Sequence, residues 1–454
     1  MATGAGQQYV PVVRIEILSP ATARIKVEGQ LAAGKTSWSF RNVYARATRL
    51  AERIENFTLI DDNGANVPVH QSLTGEYQSQ RAATRFRYEM KLDSAFNRES
   101  EANVSWMAHE RALLMLGDLL PLNLKTTKIK FALPARWSVS SVESKDGKED
   151  FIVADAEAAV FLAGTNLRER HEQIADMDFA FVTAGEWAFD DRSATSAAVD
   201  LLKQHVETMG GVPQRRAMVM LSPFPQAVSA GRWNAETRGA TVVLISGRAS
   251  SKTVGLSQLS VALAHELFHL WVPNSVALDG EYDWFYEGFT LYQSLQTCVR
   301  LRLLTFREYL NAIGRAYDAY LSAPQREKLS LLDASRRRWT GATSLVYSKG
   351  MLVAFLYDLE LRKQSRGKRS LGNVYRELFR RYKNGGSRAD GNTAVLATLS
   401  NAGEMKRFTE RYIEKADPID LGAIVKPFGL RVDSTSAVTY ITVADSINRA
   451  QREL

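Results

Sequence analysis

The chain has 454 residues, 45% of them hydrophobic and 24% charged, with 12 prolines. This composition excludes wholesale disorder, and the length exceeds what one compact core accommodates. A formal net charge of +8 favours acidic partners weakly and identifies none, while the single cysteine, Cys298, excludes an intrachain disulfide and any Cys-rich metal site.

The N-terminus, MATGAGQQYVPVVRIEI, lacks a basic segment followed by an apolar one, so no signal peptide is read in it. That leaves the compartment open between the cytoplasm and an exported protein whose leader has been removed. From Val12 to Glu143 the runs VRIEIL, ARIKVEG, RFRYEMKL and KIKFALP alternate polar and apolar residues, with turn signals such as DDNGAN between them. Alternation of period two makes residues 1–154 an expected antiparallel β domain. Residues 155–304 read as mixed: AVFLAG, DFAFVTAG, RAMVMLS and ATVVLISG are strand-like, and SATSAAVDLLKQHVETMGG is a helix with a Gly-Gly stop. Helices dominate residues 305–416, beginning at TFREYLNAIGRAYDAYL, where Thr305 and Glu308 have capping-box spacing. A tail of short strand-like pieces occupies 417–454. The expected architecture is thus a multidomain α+β protein. The basic clusters SRRRW (335–339) and SRGKRS (365–370) read as solvated faces, and no nucleic-acid-binding motif accompanies them. No uncharged apolar run reaches the roughly 18 residues of a membrane span, and nothing speaks to oligomeric state.

The chemistry concentrates in VALAHELFHLWVPNS. In LSQLSVALAHELFHLWV the residues Leu256, Leu259, Leu263, Leu267 and Leu270 follow a helical face, so His265 and His269 project from adjacent turns of one helix. Two imidazoles so placed can chelate one ion, and Glu266 between them can reach a water beside that ion without binding it. The alternative for this pattern is a pair of packed histidines. Downstream, DGEYDWFYEGFTLYQ offers a third ligand, Glu287, in the first turn of a helix expected to begin at Trp284 with Asp283 as its cap. A glutamate flanked by WFY and GF sits where an unpaired charge is costly. Two histidines and one carboxylate make a three-ligand zinc site, one Zn2+ per chain, with a fourth position for water. His and Glu donors suit other divalent ions as well.

HELFHLW followed by WFYEGFTLY, with 17 residues between His269 and Glu287, resembles the gluzincin zinc metallopeptidases, most closely the glycyl aminopeptidase family and more distantly aminopeptidase N and leukotriene A4 hydrolase. The resemblance implies a thermolysin-like catalytic domain at 155–304 between the β and helical domains. It also implies that Tyr347 of VYSKGMLVAFLYDLELR, followed by Lys349 and Gly350, stabilises a tetrahedral intermediate. Two departures stand out. Family members often end in a PDZ domain, for which residues 417–454 are too short. The family's Gly-Gly-x-Glu-His element is replaced by NAETRGATVVL, in which Glu236 is the nearest carboxylate able to meet a substrate amine.

The implied activity is hydrolysis of a peptide or protein substrate by zinc-activated water, with His265, His269 and Glu287 as ligands, Glu266 as general base and Tyr347 as oxyanion donor. An aminopeptidase is the first expectation; an endopeptidase, or an inactive binding protein on the same fold, is the alternative. Thr290 is a candidate to orient a ligand, and Trp271, Trp284 and Tyr286 are candidates to line the substrate cleft, the alternative for each aromatic being the core.

Overall fold

Apolar residues at every second position bury one face of the strands in the first third of the chain. In the strand Val12–Ser19 the side chains of Val13, Ile15 and Ile17 are buried and Arg14 is exposed; in Glu76–Lys91, Phe86, Tyr88 and Met90 are buried and Arg87 is exposed. The computed structural model describes residues 10–93, 100–383, 388–401, 403–435, 438–448 and 451. Residues 1–9, the start of the stretch read for a leader, lie outside them.

The chain forms two compact units. The first comprises Met1–Glu172, Asp178–Asp191 and Arg216–Lys252; the second comprises Gln173–Met177, Arg192–Arg215 and Thr253–Leu454. Residues 155–304 therefore contribute to both.

In the first unit a large sheet runs in the order Ser144–Lys145, Asp150–Val153, Thr127–Ala132, Val12–Ser19, Arg24–Ser39, Glu76–Lys91, Ile54–Ile60, Asn66–Val67. Its pairings are antiparallel except that of Val12–Ser19 with Thr127–Ala132, which is parallel. A parallel pairing needs a long crossover, and the strands between the two supply it. Two further sheets share one core. Trp106, Leu113 and Leu162 of a four-stranded sheet meet Val182, Met220 and Val243 of a five-stranded one. The latter is mixed. Met177–Thr183, Arg216–Pro223 and Thr241–Ser246 are parallel, and Trp233–Arg238, which carries Glu236, closes the edge antiparallel.

The second unit is mainly helical. Thr305 and Glu308 form the expected capping box on the helix Phe306–Leu321, satisfying two orphan N–H groups reciprocally. Leu371–Tyr382 is a helix, as LGNVYRELFRRY suggests, and in the tail Leu430–Asp433 pairs antiparallel with Tyr440–Val443. Among the described residues no helix is long and apolar enough to cross a membrane.

One buried histidine braces the segment that carries the other two. His205, on the helix Asp191–Met209, donates from Nε2 to the carbonyl of Ala264 at 3.0 Å, and its ring meets Phe268 and Trp271 edge-on. Burial pulls its pKa down to about 4, with the Ala264 carbonyl opposing. Because the folded value lies below the unfolded one, protons bind the unfolded chain first as pH falls. The neutral histidine's stability is complete above about pH 6.5 and is lost down to about pH 4, a loss of about 3 kcal/mol. Denaturant unfolding of His205→Gln, whose amide can still donate, should show one proton less of acid dependence over that window. An unchanged slope would remove His205 as the source.

Candidate metal centre

The helix Lys252–Glu266 carries His265 and Glu266 at its end, and Leu267–Leu270 continues as a tighter 3-10 turn. The expected single helix through Leu270 thus changes pitch after Glu266. Both histidines still project to one side: their Nε2 atoms are 3.0 Å apart and the rings stand at 82°. His269 uses Nδ1 to donate to the carbonyl of Val272 at 2.9 Å. In the neutral ring this leaves the Nε2 lone pair facing the cluster.

Glu287 comes from the turn Trp284–Phe289, a π-helical turn that runs on into the helix Thr290–Arg300. Asp283 does not cap it, contrary to expectation. Its own backbone is already helical, and its carboxylate accepts instead from Tyr286 Oη and Arg338 Nη1, each at 2.7 Å. A second π-helical turn, Leu345–Lys349, carries Tyr347 and leads into the helix Gly350–Gln364. The two π turns touch backbone to backbone: a Cβ on Gly288 would stand 2.6 Å from the Cα of Gly350 and from the carbonyl oxygen of Val346. Only glycine allows that approach. The glycines of WFYEGF and VYSKG therefore bring Glu287 and Tyr347 together.

Oε2 of Glu287 lies 3.3 Å from His265 Nε2 and 3.6 Å from His269 Nε2, and all three residues are buried. They form the one group of three or more His, Cys, Asp and Glu side chains with ligand atoms close enough to hold a metal among the described residues. The donor set fits zinc: bonds of about 2.0–2.1 Å place tetrahedral donors about 3.3 Å apart. Burial alone would lower the pKa of His269, but the hydrogen bond and charge of Glu287 outweigh it and push the value up to about 9. Burial likewise works to raise that of Glu287, yet His265, His269 and Arg338 hold its carboxyl well below the usual range. Both shifts come from the attraction between the imidazoles and the Glu287 carboxylate, to which the Arg338 charge adds for Glu287.

Glu266 is buried beside this cluster. Tyr347 meets Glu287 directly and also through Arg338, whose Nη2 donates to Tyr347 Oη at 2.5 Å and to Glu287 Oε1 at 2.8 Å. Burial, and then the charge of Glu287, raise the pKa of Tyr347 far above the usual phenol value.

The remaining candidates divide. Tyr286 stands at the site, half-buried, donating to Asp283 and accepting from Arg338 Nη1 at 3.2 Å. Trp271 and Trp284 are fully buried, and Trp284 donates from Nε1 to Asn392 Oδ1 at 2.8 Å. The indole N–H of Trp271 likewise finds a partner inside, the carbonyl of Gly211 at 2.8 Å. Thr290 is buried, and its hydroxyl faces Tyr375 and bonds none of the three donors. Glu236 belongs to the first unit, where Tyr44 Oη and Arg238 engage Oε1 and Asn103 Nδ2 engages Oε2.

Arg338 is the residue of this cluster that the sequence reading passed over. It lies in SRRRW, read as a solvated face; Arg336 and Arg337 are exposed, and Arg338 is buried between Asp283 and Glu287. The signal was present in DWFYEG, where two carboxylates in an aromatic stretch require a cation.

Residues 258–353, which include every residue of this cluster, match the family described as M61 glycyl aminopeptidase. No curated protein matches the sequence. Among solved structures, an aminopeptidase N family protein from Idiomarina loihiensis is similar at 16% identity with a TM-score of 0.79, over 94% of this chain and 81% of its own. An M1 zinc metallopeptidase from Deinococcus radiodurans is similar at 14% identity with a TM-score of 0.56, over 90% of this chain and 94% of its own. Another structure of the Deinococcus enzyme, a variant bound to a Tyr-Ser-Ala substrate, has a TM-score of 0.58. At these identities the likeness is one of fold, and it agrees with the gluzincin aminopeptidase resemblance carried by the motifs.

Proposed function

We propose that this chain, similar around its histidines to the glycyl aminopeptidases, is a zinc-dependent metallopeptidase of gluzincin type with a thermolysin-like catalytic region. The observation that carries the reading is the convergence of His265 Nε2, His269 Nε2 and Glu287 Oε2 within 3.0–3.6 Å of one another. Those three residues would hold one zinc ion per chain. Bound there, zinc supplies Lewis acidity to the scissile carbonyl and lowers the pKa of water towards neutrality. Glu266 takes a proton from the attacking water and delivers it to the leaving amine, so that one peptide bond and one water become a carboxylate and an amine. Tyr347 donates a hydrogen bond to the carbonyl oxygen as negative charge develops on it. The substrate is a peptide.

The family likeness favours release of N-terminal residues. One observation favours endopeptidase action instead: both oxygens of Glu236, the candidate amine anchor, are engaged by Tyr44, Arg238 and Asn103.

The test is metal content together with cleavage of aminoacyl anilides and their N-blocked counterparts, with and without chelator. One zinc per chain and chelator-sensitive cleavage of free-amine substrates are expected. Cleavage of blocked peptides alone would establish the endopeptidase, and zinc without cleavage would leave a binding protein. His269→Ala should purify with clearly less than one metal per chain; a full complement would end its assignment as a ligand.

A further inference from the structure

Arg338 enters the cluster from the 3-10 turn Arg338–Thr340, which follows the helix Leu331–Arg336. Its guanidinium makes four hydrogen bonds. Nη1 donates to Asp283 Oδ1 at 2.7 Å and to Tyr286 Oη at 3.2 Å, and Nη2 donates to Glu287 Oε1 at 2.8 Å and to Tyr347 Oη at 2.5 Å. The half-exposed ring of Trp339 lies along the guanidinium, with Cζ 4.5 Å from its centroid. The planar fork is therefore anchored at Asp283 on one side and extended to two working groups on the other.

Two consequences follow from the fact that a guanidinium donates and never accepts. Glu287 divides its oxygens, with Oε1 held by Arg338 and Oε2 left facing the two imidazoles. Carboxylate rotation that would offer both oxygens to one ion breaks the Arg338 bond. Tyr347 uses an oxygen lone pair to accept from Arg338, so its only proton is kept for an acceptor, which in this structure is the Glu287 carboxylate and in the reaction is the developing oxyanion. That proton is the one an oxyanion donor must present.

We propose that Arg338 is the positioning residue of this centre, limiting Glu287 to one ligating oxygen and orienting the Tyr347 hydroxyl as a donor. The inference rests on the zinc-peptidase reading of the site. It also makes the fork shape, and not the charge alone, the requirement. A lysine ammonium cannot meet Asp283, Glu287 and Tyr347 at once in this geometry.

Arg338→Lys, which keeps the buried charge balanced, is the test, with folding checked by thermal unfolding. Zinc affinity measured by chelator competition is expected to weaken about 10–100-fold, the range for loss of a group that orients a ligand. The absorption spectrum of the cobalt-loaded protein should change, reporting altered coordination independently of turnover. The kcat should fall with little change in KM, and Arg338→Lys added to Tyr347→Phe should cost less than it does alone, because its route through Tyr347 is already gone. Wild-type zinc affinity, cobalt spectrum and kcat in a folded Arg338→Lys protein would overturn the inference and leave the peptidase reading intact. Fully additive losses in the double variant would overturn the part that runs through Tyr347. A wild-type protein that takes up no metal would overturn both readings. A wild-type protein that holds zinc without cleaving peptides would overturn only the peptidase reading, since zinc affinity and the cobalt spectrum still report how Arg338 holds Glu287.

Discussion

Glu266→Gln is expected to keep its full zinc complement while kcat falls by a factor of about 10²–10⁴, the usual contribution of a positioned general base. Glu266 is the last residue of the helix that carries His265, and it is buried next to the three converging donors without belonging to them. Glutamine has the same shape and cannot take up a proton at neutral pH, so packing and metal binding should survive. The measurement is steady-state turnover on the best substrate of the panel, paired with metal analysis of the same sample. Loss of zinc would mean that Glu266 shapes the binding site, and unchanged kcat would end its assignment as the base.

Tyr347→Phe is expected to lower kcat by about 10²–10³, which corresponds to about 2.7–4 kcal/mol of lost oxyanion stabilisation. Zinc content should not change, because Tyr347 contributes no ligand atom to the cluster. Burial and the charge of Glu287 raise its pKa well above the phenol range, so the hydroxyl keeps its proton through neutral pH and can donate it. The wild-type rate should therefore show no loss from tyrosine ionisation between pH 7 and about pH 9. A Phe variant as active as wild type would return Tyr347 to a packing role, since the ring would then be sufficient.

The parts of the site that could be read in the sequence are those set by spacing along one chain segment. His265 and His269 are four residues apart, the spacing of one α-helical turn, and because the tighter pitch begins only after Glu266 their Nε2 atoms still meet at 3.0 Å. The capping box at Thr305 and Glu308 is equally local. Partnerships made between distant segments were not legible. Asp283 has the residue type and position of a cap, but Arg338, 55 residues away, offers a charged partner that a cap cannot match. The same contact turns one arginine of a basic run inward, and no local pattern distinguishes Arg338 from Arg336 or Arg337. Trp284 next to a ligand could be read as cleft wall or core, and its bond to Asn392 from a later helix could not be read at all. Alternating strands revealed the β character of the first unit, whereas the parallel pairing of Val12–Ser19 with Thr127–Ala132 depends on chain topology.

The π-helical turns at Trp284–Phe289 and Leu345–Lys349 limit how this site could be rebuilt elsewhere. Each accommodates one residue more than a regular turn, and on an α-helix one residue is a rotation of about 100°. A designer who copied the spacing of His265, His269, Glu287 and Tyr347 onto straight, idealised helices would reproduce the motif in full. Part of the constellation would still face away from the metal. The portable unit is the pair of irregular turns with their glycine contact, and the familiar letters of the motif are insufficient without it.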